Sequence, residues 1–128
     1  MSFELKEILG LFKEMIAAGA VDFLIKRNIF PKRCYLKCSK SSNIEIRWLL
    51  ANHKDTPIRI LEALASDNSF LIREAVFRNI LTNINKSNRD LLLILATEFK
   101  TTINIEKIMK DWDKDTKKFI FKNIHLFL

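Results

Sequence analysis

Through the middle of the chain, apolar residues recur at helical spacing in short runs separated by polar clusters. Ile58, Leu61, Leu64 and Ala65 share one helical face, and Ile72, Ala75, Val76 and Ile80 share the next. The cluster Ser66-Asp67-Asn68-Ser69 between them ends the first helix and offers an N-cap to the second. Asn43 stands in the same capping position ahead of Ile44, Ile46, Leu49 and Leu50. Thr56-Pro57 reads as an N-cap followed by proline at the first helical position, where a missing N–H costs nothing. The pattern predicts an all-α chain built of pairs of short helices.

The pairs repeat. A shift of 26 residues lays Pro31 on Pro57, Arg33 on Arg59, Cys38 on Leu64, Ile46 on Ile72, Arg47 on Arg73 and Leu50 on Val76. A further shift back lays Leu24 on Leu50. A fixed period of this length predicts a solenoid, in which each unit buries its apolar face only against its neighbours. The expected organisation is a single domain over residues 1–128. Residues 1–19 form a capping helix with the stripe Leu5, Ile8, Leu9, Phe12, Met15, Ile16 and Gly19. Residues 20–82 hold the clearest repeats, and residues 83–128 hold divergent repeats and a C-terminal cap. There Leu92, Leu95, Ala96 and Glu98 come five residues late (92 − 61 = 31).

Residues 46–82 carry Ile46, Arg47, Leu50, Ala51, Thr56, Pro57, Leu61, Leu64, Ala65 and Asp67, then restart with Ile72, Arg73, Val76, Asn79 and Thr82. This resembles the variant leucine-rich repeat, a bacterial relative of HEAT repeats. The resemblance implies a short right-handed α-solenoid, a curved stack of paired short helices used for binding. His53-Lys54 departs from the family's Asn-Pro at that turn. The best-known member carries an iron–sulfur module, but two cysteines cannot supply four thiolates, so no cofactor is expected.

Composition narrows the function without naming it. Two Gly and two Pro in 128 residues leave no Gly-rich phosphate loop. No H-E-x-x-H, nucleophile elbow or paired carboxylates in an apolar setting appear, so the chain reads as non-enzymatic. No run of about 18 apolar residues occurs, and Glu4, Lys6, Glu7, Lys13 and Glu14 break any signal-peptide core. A cytoplasmic protein with no membrane partner is the resulting expectation. The net charge of +7 suits a phosphate backbone or an acidic protein surface.

The candidate contact residues are Lys26, Arg27, Arg33, Lys37, Lys40, Arg59, Arg47 and Trp48. Lys26, Arg27, Lys32, Arg33, Lys37 and Lys40 occupy a stretch without a single acid, and Arg59 repeats Arg33 one unit on. Lys114, Lys117, Lys118 and Lys122 are diluted by acids and read as ordinary surface. Trp48 fills the outward slot held by Asp22 and Glu74 in the flanking units, as an interface anchor would. In HEAT-type repeats an arginine placed like Arg47 and Arg73 bonds the acid and carbonyls joining two helices. Because Ser41 stands where Asp67 stands one unit later, Arg47 is expected to be the freer of the two. Cys34 and Cys38 align with core slots, with His53 and His125 too distant to complete a zinc site. Phe119, Phe121, Phe127 and Leu128 exceed one helical stripe, so part of the tail is expected to be exposed.

Three functions remain in play. The first is a protein-binding adaptor or stoichiometric antagonist, such as an immunity protein neutralising a toxin. The second is a nucleic-acid backbone binder using the basic ridge. The third is an oligomeric unit joined through the terminal helix, giving at most a weak homodimer.

Overall fold

The computed structural model describes residues 18–99 and 105–127. Among them are eight α-helices and a closing 3₁₀ turn, and no strand. The helices are α1 (Ala18–Lys26), α2 (Lys32–Ser39), α3 (Ile44–Asn52), α4 (Ile58–Leu64), α5 (Phe70–Thr82), α6 (Arg89–Phe99), α7 (Ile105–Met109) and α8 (Lys114–Lys122). The 3₁₀ turn is Ile124–Leu126. Leu5 to Ile16 of the expected capping helix lie outside the described residues, and Gly19 belongs to α1.

Helices α1 and α3 end at residues 26 and 52, α3 and α5 start at 44 and 70, and α2 and α4 start at 32 and 58. Each of these boundaries advances by 26 (52 − 26, 70 − 44, 58 − 32). Helix α3 packs on α1 and on α5, while α2 and α4 pack on each other and on α3. Helix α6 packs on α5, and the 3₁₀ turn packs on α6. The core takes Val21, Cys34, Cys38, Leu50, Leu64, Ile72, Val76, Ile80, Leu92 and Phe99, each at most 1% exposed. These helices are too short to stand alone in water, so this burial is what holds them.

Local chemistry sets the helix ends. Asn28 takes a left-handed backbone (φ 57°) after α1. There the N–H of Asn28 donates to Ile25 O and that of Ile29 to Leu24 O, a Schellman termination. Asn43 caps α3 as expected, its Oδ1 accepting from Glu45 N at 2.9 Å. Thr56 does not cap α4. Pro57 is itself the extended residue before that helix, and the Thr56 hydroxyl instead donates to Leu50 O at 2.6 Å, closing the end of α3.

The late start of the third unit has a local cause. Asn83 occupies the slot of Pro57, and without proline the preceding residue is free to stay helical. Helix α5 therefore runs 13 residues to Thr82, where α3 runs nine. An asparagine-braced turn follows, with Asn85 Oδ1 accepting from Ser87 N and Asn88 N, before α6 begins. Further on, Trp112 is buried and donates from Nε1 to Leu81 O at 3.2 Å. In the tail Phe127 is buried and Phe121 exposed, so the expected excess of apolar surface reduces to Phe121 among the described residues.

Candidate functional site

The two repeated arginines are structural cross-links. Arg47 donates from Nε to Asp67 Oδ2 (2.9 Å) and from Nη2 to Asp67 Oδ1 (3.4 Å), and its Nη1 donates to Ser41 O (2.7 Å). Arg73 donates from Nε and Nη2 to Glu98 Oε1 (3.1 and 2.8 Å) and from Nη1 to Asp67 O (2.7 Å). Each arginine thus holds the carbonyl six residues before it and an acid from the following unit. The expectation that Arg47 is the freer of the pair is overturned. Its side chain is 14% exposed against 24% for Arg73, because its acid lies ahead in the next unit and not behind it. With all three arms of its guanidinium engaged, Arg47 does not present a charge to a partner.

The next slot along reaches backward. Asn79 donates both Nδ2 hydrogens, to Ala51 O (2.9 Å) and His53 O (2.8 Å), tying α5 to the end of α3. His53, one period earlier, hydrogen-bonds Asp22 Oδ1 through Nε2 at 2.9 Å. Asp22 also meets Lys26 Nζ at 3.0 Å, and chiefly that bond, then His53, holds its carboxyl below the usual range.

Trp48 stands on the outer side of α3, 47% exposed. With Ile44, Leu71 and the stem of Glu45 it lines an apolar groove of about 170 Å³ between α3 and α5, and the equally exposed Phe70 precedes Leu71. Ile44 and Leu71 are the residues that sequence reasoning missed. Its spacing places Ile44 with Ile46, Leu49 and Leu50, whereas in the fold it is exposed. Leu71 was legible, since it is apolar in the slot where the preceding unit has Glu45 (71 − 26).

The cations lie elsewhere. Arg33, Lys37 and Lys40 are exposed on the outer side of α2, away from buried Cys34, Tyr35, Cys38 and Ser39, and Arg59 is exposed on α4 beside it. Arg27 lies with its guanidinium 4.1 Å from the Phe23 ring centre, and Lys26 is held by Asp22. The ridge is thus concentrated on α2.

Cys34 and Cys38 are free thiols with no exposed surface. Burial raises both, Cys38 to about 12, so neither is a thiolate at neutral pH. Among the described residues no group of three or more His, Cys, Asp or Glu is placed to hold a metal ion. No helix among them is long and apolar enough to cross a membrane. Compared with family models, with curated proteins and with solved structures, the chain finds no match.

Proposed function

We propose that the chain is a non-enzymatic, cytoplasmic protein-binding module, a short α-solenoid of HEAT-like units resembling the variant leucine-rich repeat. In this reading a partner protein docks in the Ile44–Trp48–Leu71 groove. The observation that carries it is an exposed tryptophan beside two exposed aliphatic side chains, with Trp48 and Leu71 in slots that are acidic in the neighbouring units. Water-facing apolar grooves with an aromatic anchor are where protein interfaces concentrate their binding energy. The repeat geometry supports it too, since the arginine and asparagine links leave that outer face without a structural duty. A stoichiometric antagonist of the immunity type, holding a toxin, is the form of partnership we propose.

The test is capture of a partner from native lysate at high salt after nuclease treatment, with Trp48→Ala alongside. Removing a central tryptophan anchor is expected to weaken retention roughly 30-fold, about 2 kcal/mol, without moving the melting temperature. Equal retention by both proteins would sink the groove as the docking site. Nucleic-acid backbone binding through Lys26, Arg27, Arg33, Lys37, Lys40 and Arg59 is the alternative. It has less support, because Tyr35 is buried and Trp48 lies on a different helix face, leaving no stacking platform beside the cations.

A further inference from the structure

The cationic side of α2 is not purely cationic. Leu36, 51% exposed, sits among Lys32, Arg33, Lys37 and Lys40, and Ile29, 57% exposed, stands at the turn leading into the helix. Both exposures follow from the local fold. The buried set Cys34, Tyr35, Cys38 and Ser39 turns Leu36 outward, and the left-handed Asn28 carries Ile29 away from α1. Among the described residues no acid lies within ion-pair distance of Lys32, Lys37 or Lys40; Glu62 is exposed on the adjoining helix, and Asp55 is felt on α2 at the buried Tyr35.

We infer that this face is a docking surface for an anionic lipid bilayer, with Ile29 and Leu36 entering the headgroup layer and the cations meeting lipid phosphates. The argument is one of complementarity. A nucleic-acid backbone would satisfy the lysines but leave two half-exposed aliphatic side chains against phosphate. A neutral protein groove would accept the aliphatic groups but strand the charges. An anionic bilayer takes both at once, since its surface attracts cations and its interface accepts apolar side chains. Peripheral contact of this kind needs no spanning helix. It departs from the expectation of no membrane partner only to that extent, and it is independent of the Trp48 groove.

The test is co-sedimentation of the full chain with vesicles of one-third phosphatidylglycerol in phosphatidylcholine, at about 0.1 M salt. Each cation removed from the surface is expected to weaken partitioning roughly fivefold, so Lys37→Glu with Lys40→Glu lowers it well over tenfold. Ile29→Ser with Leu36→Ser is expected to lower it roughly tenfold at unchanged charge. Lys114→Glu with Lys118→Glu, equal in net charge to the first pair, is expected to leave it within about threefold. Trp48→Ala is expected to leave it unchanged, which separates this surface from the protein-binding groove. The inference is overturned if the two lysine pairs lose binding equally, since net charge alone would then explain it. It is also overturned if the serine pair binds like the native protein, or if a short DNA duplex outcompetes the vesicles.

Discussion

Two arginine links of the same design hold this molecule, and they are not equally deep. Arg47 and Asp67 join units whose spacing is kept, and their side chains are 14% and 8% exposed. Arg73 and Glu98 join units across the late turn, and theirs are 24% and 40% exposed. The second acid stands 25 residues from its arginine, where the first stands 20, and the five extra residues are those gained where Asn83 replaces Pro57. A longer acid, Glu for Asp, takes the same two donors on a single oxygen, from a wetter position. The comparison teaches that the unit tolerates an insertion in its turn provided an acid still arrives opposite the arginine. The cost is paid in burial.

The widest separation should come from the arginines themselves. Arg47→Ala strands Asp67 in a largely buried site and is expected to lower unfolding stability by about 3 kcal/mol. Arg73→Ala breaks an exposed pair and one carbonyl bond, and about 1 kcal/mol is expected. Urea denaturation followed by circular dichroism measures both, and equal losses would show that burial does not set the difference. Next in size is Asn79→Ala, which leaves the buried carbonyl of Ala51 without its side-chain donor and that of His53 with Thr56 N alone, and is expected to cost about 2 kcal/mol by the same measurement. A loss below about 0.5 kcal/mol would mean that water replaces the amide fully.

The smallest effects are those of pH. Asp113 caps α8, and the bond from Thr116 N (2.7 Å), with Asp22 bonded to Lys26 and His53, lowers both carboxyls from 3.8. A lowered folded pKa contributes stability that is present above the unfolded value and lost as pH falls through the folded one. The acid limb of a melting-temperature profile below pH 3.8 should therefore flatten in Asp113→Asn. For Cys38, raised from 9.0 to about 12, the sign reverses: its contribution is full below pH 9.0 and fades as pH rises towards 12. Cys38→Val should flatten that alkaline limb, and an unchanged limb would remove the thiol from the account.

Much of the regular part was legible in the chain. The period of 26 located the end of α1 and the starts of α2 to α5, and the matched arginines marked residues with a repeated duty. The five-residue delay at Leu92 was legible as well. What escaped was the direction of the links. An acid six residues before Arg73 looks like its partner on paper, yet it serves Arg47, because facing across a pair of units is fixed by packing that no local spacing records. Thr56 misled for a similar reason: a hydroxyl before proline can close the helix behind it as readily as open the one ahead. The groove was half legible. Trp48 and Leu71 break a polar slot, whereas Ile44 fits an inward stripe and is exposed only because α3 turns its Ile46, Leu50 and Ala51 face to the core.

The forward reach of the arginines also bears on how the protein is made. Asp67 is synthesised 20 residues after Arg47, and at ~5–20 residues per second the guanidinium waits roughly 1–4 s on the ribosome for its carboxylate. Until then it can hold only the carbonyl of Ser41, and a unit is complete only when its successor has emerged. Each of the two arginines is therefore in place before the residue that closes its link, and the Arg47 link can close before the Arg73 one.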